Sequence, residues 1–91
     1  MDLLEEIYRG YQAKLVLDNP IYQDSIEKVR QGLIQSMASS PLGDSQTHNR
    51  LVIAMQLLNQ IERQLQDVMA TGKMAQIQTQ DKSKFNIFKR A

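Results

Sequence analysis

The chain of 91 residues contains no cysteine and a single histidine, and these two shortages exclude most catalytic and metal chemistry. Without cysteine there is no disulfide framework, no thiolate zinc site and no cysteine nucleophile. His48 has no second histidine to complete a metal site and no G-x-S-x-G motif to complete a hydrolase triad. The sequence therefore predicts a protein that is not an enzyme and that holds no cofactor or metal.

Long apolar runs are also missing, as is a strong charge of either sign. No run approaches the ~20 apolar residues of a membrane-spanning helix, and the acidic start is unlike a signal peptide. We therefore expect no membrane partner and a cytoplasmic location. A formal net charge of +1 gives no strong whole-molecule field for nucleic acid. A monomer of this size buries only roughly 64% of its extended-chain surface, so a partner or an oligomer is a natural source of further stability.

Hydrophobic residues recur at helical spacing in three segments. The spacing predicts helices over residues 2–17, 20–38 and 46–70, and Gly72 is well placed to end the third. A loop rich in serine, proline and glycine over residues 39–45 separates the second helix from the third. Asn19 or Asp18 can cap the second helix, and Asp44, Ser45 or Thr47 can cap the third. The fold class is therefore all-α, with two shorter helices packed up-and-down against a long one.

The first helix carries its large apolar side chains on one helical stripe, opposite its charged and polar residues. Gly10 interrupts this helix as a mild defect, and Gly32 in the second helix could mark the close approach of another backbone. Tyr8, Tyr11 and Tyr22 lie on apolar stripes and are interpreted as core or rim residues. The stripe of the first helix consists of Leu3, Leu4, Ile7, Tyr8, Tyr11 and Leu15.

The third helix has the most regular pattern, in which apolar residues occupy the a and d positions of three successive heptads. This pattern predicts either an intramolecular core or a seam between copies, and the two are compatible. Twenty-five residues would span about 37 Å, a long helix for so small a protein. The residues of this seam are Leu51, Ala54, Leu58, Ile61, Leu65 and Val68.

The last nineteen residues differ in charge from the rest. Residues 73–91 hold five basic side chains against Asp81 alone, a net charge of +4, whereas residues 1–72 hold six basic and nine acidic ones, a net charge of −3. We therefore divide the chain into a helical domain, 1–72, and a basic and aromatic C-terminal arm, 73–91. This extended arm is either a solubilising terminus or a partner-binding segment. In the second case, the contacts come from Lys82, Lys84, Phe85, Ile87, Phe88, Lys89 and Arg90.

This organisation resembles small all-helical structural proteins of tailed bacteriophages. The resemblance rests on the long helix Arg50–Ala70, on the run Ala70-Thr71-Gly72-Lys73-Met74-Ala75, on the richness in glutamine and on the arm Phe85–Arg90. It implies a protein that assembles in several copies around a portal, connector or capsid and binds its neighbours through extended arms. It implies no functional residue, because no invariant motif is matched.

Together these features favour a non-enzymatic structural or adaptor subunit that binds protein partners and forms a homo-oligomer or a larger assembly. A virion, head–tail or packaging component is its most specific form, and the virion would then be its location. The alternative is a small nucleic-acid-binding or regulatory protein that uses the basic tail. An acidic body and an arm with only five basic residues make nucleic acid the secondary partner.

Overall fold

The computed structural model describes the backbone of residues 2–90 and the side chains of residues 2–80. The described residues form three helices and no strand: α1 (Leu3–Leu17), α2 (Pro20–Ser39) and α3 (Ser45–Arg90). The predicted all-α class, with two shorter helices and one long one, is confirmed, and the predicted starts of all three helices are right to within one residue.

Short polar side chains fix the start of each helix. Asp2 Oδ1 accepts the backbone N–H of Glu5 at 2.8 Å. Asn19 Oδ1 accepts the backbone N–H groups of Ile21 at 2.8 Å and Tyr22 at 3.1 Å, and Pro20 occupies the first turn, where it has no hydrogen bond to lose. Of the two residues proposed to cap α2, Asn19 is therefore the one that does so.

Asp44 caps α3 with both carboxylate oxygens. Oδ1 accepts the backbone N–H of Thr47 at 3.1 Å and Oδ2 accepts its hydroxyl at 2.7 Å. These two hydrogen bonds favour the ionised carboxylate and hold the pKa of Asp44 below its ordinary value of 3.8. Immediately before this cap, Gly43 turns the loop with a φ of +87°, a conformation that other residues rarely adopt.

The predicted end of the third helix is wrong. α3 continues through Gly72, because this glycine keeps a helical backbone and does not take the left-handed conformation that ends a helix; Gly43 alone has a positive φ in the described part of the chain. Residues 73–80, which we placed in the C-terminal arm, are therefore helical.

The chain divides into two compact units. Unit 1 combines residues 1–16 with residues 65–91, and unit 2 comprises residues 17–64. The long helix α3 contributes to both.

Unit 1 is built on a close approach of two helix backbones. A Cβ atom added to Gly10 in α1 would lie 2.8 Å from the Cα of Gly72 in α3, and a Cβ atom added to Gly72 would lie 2.8 Å from the Cα of Gly10. Ala13 and Ala75, each three residues further along its helix, are also buried. The buried positions of this unit, among the residues with described side chains, are therefore all glycine or alanine.

Unit 2 is a helical hairpin of α2 and the first part of α3. Leu58 is buried in it, and the half-buried apolar residues of α2 fall on one face of that helix. Gly32 has no atom within 4 Å of an added Cβ, so the prediction that it marks a close backbone approach is wrong. The half-buried residues of this α2 face are Tyr22, Ile26, Leu33 and Met37.

Candidate functional site

Four large apolar side chains on one face of α1 are exposed to solvent. Leu4 is 73% exposed, Tyr8 62%, Tyr11 59% and Leu15 53%. We call these four residues the α1 stripe. They lie on a different side of α1 from Gly10 and Ala13, the small residues that α1 buries, because residues three and four apart share a helix face. Of the six residues of the predicted apolar stripe, these four are therefore exposed, whereas Leu3 and Ile7 are half-buried. Of the two roles predicted for Tyr8 and Tyr11, core and rim, the core role is wrong.

Packing through glycine explains this exposure. Two helix axes can approach closely only where small residues meet, and α1 meets α3 at Gly10 and Gly72. Large side chains cannot fit between backbones at this distance, so the α1 stripe lies outside the contact, along one flank of it.

A groove runs beside the α1 stripe. Its volume is about 510 Å³, and its walls come from Leu4, Tyr8 and Tyr11 of α1 and from Met69 and Lys73 of α3, all within unit 1. The wall of the groove is chiefly apolar, and Lys73 supplies a positive charge at its edge. Such a surface suits a protein side chain more than a polar small molecule.

The Tyr8 ring is held in place along the edge of the stripe. Gln12, one turn further on, donates its side-chain N–H to the Tyr8 hydroxyl at 3.0 Å. The hydroxyl is thus hydrogen-bonded at the margin of the stripe while the ring keeps an apolar face towards solvent. A tyrosine placed in this way has the character of an interface residue.

A polar cluster centred on Arg30 joins the two helices of unit 2. The Arg30 guanidinium donates to Asn59 Oδ1 at 2.7 Å and to Glu62 Oε1 at 2.6 Å, and it lies 3.8 Å from Glu27 Oε2. Glu27 precedes Arg30 by three residues on the same helix, so this pair is local to α2. Asn59 and Glu62 are the stronger contacts, and the sequence did not indicate them because both belong to another helix.

Tyr22 lies close to this cluster. Its hydroxyl is buried and has no hydrogen-bond partner among the residues that the structure describes. Burial, and to a lesser degree the negative charge of Glu62, raise the pKa of Tyr22 above 10.0. The cluster of Arg30, Glu62 and Tyr22 contributes to the packing of the hairpin.

The six residues of the predicted seam differ in burial. Leu58 is buried, Ile61 is 53% exposed, and the other four are half-buried. Leu51, Ala54, Leu58 and Ile61 belong to unit 2, whereas Leu65 and Val68 belong to unit 1. The heptad pattern therefore follows one helix through two separate packing environments.

The predicted partner-binding residues of the arm, Lys82 to Arg90, lie outside the residues with described side chains. Their role stays a prediction. In the part of the chain with described side chains, no group of three histidine, aspartate or glutamate residues is close enough to hold a metal ion. Within the same part, no helix is both long enough and apolar enough to cross a membrane.

Sequence reasoning missed the Gly10–Gly72 contact, although one signal for it was present. Gly10-x-x-Ala13 and Gly72-x-x-Ala75 place two small residues at the same spacing on each of two helices. Small residues repeated on one face are typical of helices that pack closely.

Protein-family models, curated proteins and solved structures were all compared with this chain, and none of them matches it.

Proposed function

We propose that this chain is a non-enzymatic structural or adaptor subunit that assembles in several copies through its helical body. A virion, head–tail or packaging component of a tailed bacteriophage is the specific form of this proposal, supported by the organisation of the sequence. Residues 82–90 act as a docking arm that binds a neighbouring protein.

The observation that carries the proposal is the amount of apolar surface left exposed. Among the residues with described side chains, the buried apolar residues are Ala13, Leu58 and Ala75, whereas fifteen large apolar residues are exposed. Soluble monomers rarely leave contiguous apolar patches of more than a few hundred Å² uncovered. A chain with so small a core gains stability when other chains cover these surfaces.

The exposed apolar residues occur in both units. In unit 1 they include the α1 stripe together with Met74 and Ile77. In unit 2 they include Ile53, Leu57 and Ile61, which follow one another at intervals of four residues along α3. Several apolar surfaces on one small chain suit a subunit with more than one neighbour.

The sequence of the arm supports a docking role. Phe85, Ile87 and Phe88 lie within four residues, bracketed by Lys84 and by the basic pair that follows. Burying one phenylalanine side chain contributes about 1.5–3 kcal/mol, so the pair supplies several kcal/mol before the cost of ordering the arm. Basic residues beside such anchors speed the encounter with an acidic neighbour.

Light scattering of the purified chain over a range of concentrations tests the proposal. We expect a mass above that of one chain at high micromolar concentration and binding of a dye that reports exposed apolar surface. A monomeric mass at every concentration, together with no dye binding, would contradict the proposal.

The double variant Phe85→Ala/Phe88→Ala tests the arm separately. If the arm docks on a neighbour, the helical body does not depend on these two residues, so the far-ultraviolet circular dichroism and the melting temperature should stay unchanged. Binding to the neighbouring protein should be lost. Lys84→Ala is the matched control, since it removes one charge and keeps both aromatic anchors; normal assembly of the double variant would show that the arm is only a solubilising terminus.

A further inference from the structure

We infer that the α1 stripe is a self-association surface, on which the α1 stripe of a second copy of this chain lies antiparallel. This inference rests on the proposed function and names the partner and the surface of one of its contacts. It moves the contact between copies from the α3 seam, where the heptad pattern suggested it, to α1.

The spacing of the stripe is the first argument. Leu4, Tyr8, Tyr11 and Leu15 follow one another at intervals of four, three and four residues, the spacing of a helix–helix seam. The intervals between these residues are the same when they are counted from either end of the stripe. A two-fold axis between residues 9 and 10 therefore places Leu4 opposite Leu15 of the second copy and Tyr8 opposite Tyr11 of the second copy.

The position of the stripe in unit 1 is the second argument. α1 buries Gly10 and Ala13 on one side and exposes the stripe on another, so two copies can meet without disturbing the Gly10–Gly72 contact. The surface that the pair covers is already formed in the single chain. Little conformational cost opposes association of this kind.

The area suits a weak, concentration-dependent dimer. Four side chains of this size, each more than half exposed, present roughly 500 Å² per chain, so that two copies bury about 1,000 Å², the lower bound for a specific interface. Two tyrosine–tyrosine pairs would lie at its centre, where aromatic residues contribute most to protein interfaces.

Charge favours the antiparallel direction. The first turn of α1 holds Glu5 and Glu6. Antiparallel pairing keeps these acidic turns of the two copies apart, and it also opposes the two helix dipoles. Parallel pairing would place the four acidic side chains together at one end.

The variant Tyr8→Ser/Tyr11→Ser tests the surface. Both side chains are exposed in the single chain, so the circular dichroism of the variant should match that of the wild type. We expect the concentration at which dimers form to rise by about 100-fold or more, because both copies lose two aromatic contacts. Val16→Ser, on the same helix but outside the stripe, is the matched control and should leave that concentration unchanged.

A cross-linking experiment tests the direction. Since the chain has no cysteine, Leu4→Cys and Leu15→Cys each introduce a single thiol. Antiparallel pairing predicts a disulfide between a Leu4→Cys chain and a Leu15→Cys chain when the two are mixed. It predicts none within the Leu4→Cys preparation alone, where the two thiols would be about 16 Å apart.

Three results would overturn the inference. Efficient cross-linking within the Leu4→Cys preparation alone would indicate a parallel pair. An unchanged mass of Tyr8→Ser/Tyr11→Ser, with a wild type that still oligomerises, would place self-association elsewhere, and Leu57→Ser would test the exposed α3 residues in turn. Self-association through another surface would leave the proposed assembly function standing. A wild type that never oligomerises would contradict both the α1 inference and assembly in several copies.

Discussion

Gly10 and Gly72 allow α1 and α3 to pack closely because neither residue has a side chain. Each removes the atoms that would separate two helix backbones, and an added Cβ on either would lie 2.8 Å from the Cα of the other. A neighbouring side chain could rotate away from such a contact, but a backbone Cα atom cannot. These two positions therefore tolerate no larger residue, although both lie in helices, where alanine is intrinsically preferred by about 1 kcal/mol.

Replacing Gly10 or Gly72 by alanine should lower the stability of the protein. The clash with the facing backbone costs about 1–3 kcal/mol and outweighs the gain in helix propensity. Gly32→Ala is the control, because nothing lies within 4 Å of its added Cβ, and it should raise the stability by about 0.5–1 kcal/mol. Denaturant unfolding of the three variants checks this; equal stabilisation of all three would contradict the close contact.

At the scale of single elements, the starts of the helices could be predicted from local sequence, but the end of α3 could not. Asn19 and Asp44 cap their helices through hydrogen bonds that span two or three residues, so a short window of sequence contains the whole cause. The sequence around Gly72 does not distinguish a glycine that ends a helix from a glycine at a contact between two helices. Gly10 of α1, 62 residues away, decides between these two roles.

The cap of α3 should make stability depend on pH in a defined direction. The pKa of Asp44 is lower in the folded chain, so its carboxylate stabilises the fold above the ordinary value of 3.8 and this stabilisation is lost as the pH falls through the folded-state pKa. Asp44→Asn keeps an acceptor for the Thr47 N–H but does not titrate.

Thermal melting over a pH range from about 7 to 2 measures the effect. The wild type should melt at a higher temperature than Asp44→Asn near neutral pH, and the difference should vanish in acid. A difference that is constant across the range would show that the carboxylate charge contributes nothing to the cap.

Arg30 should contribute more to stability than any exposed ion pair on the same helix. Arg30→Ala removes the hydrogen bonds to Asn59 and Glu62 that join α2 to α3, and we expect a loss of about 1–2 kcal/mol. Lys28→Ala breaks only the exposed pair with Asp24, at 3.2 Å, and should change the stability by less than about 0.5 kcal/mol. Chemical denaturation of both variants measures the free energy of unfolding. Equal losses in the two variants would mean that the Arg30 cluster does not stabilise the hairpin.

At the scale of the whole molecule, the single helix α3 contributes residues to both packed units. Ala75 is buried and Thr79 is half-buried in unit 1, so the packed part of the chain extends beyond residue 72. A truncation that separates the basic end from the body should therefore be made after Gln80, where it leaves both small-residue contacts intact.

The chain ending at Gln80 should keep the packing of both units up to that residue, with an unchanged melting temperature, and lose any affinity for nucleic acid. Four of the five basic residues of 73–91 lie beyond this point, and residues 1–72 carry a net charge of −3. Binding of the full chain to duplex DNA should weaken with salt, with a log–log slope no steeper than about −5. Tight binding of duplex DNA by the shortened chain at physiological salt would contradict this expectation, because it would place nucleic-acid binding in the acidic body.

The sequence by itself determined which segments are helical and where those helices begin, because periodicity, caps and the loop over residues 39–45 act over a few residues. The tertiary structure alone decided which face of each helix is buried. In α1 either the apolar stripe or the small-residue face could be buried, and hydrophobicity alone favours burial of the stripe. The small face was buried because α3 presents Gly72 at the crossing, and two glycines allow a backbone contact that leucine and tyrosine would prevent.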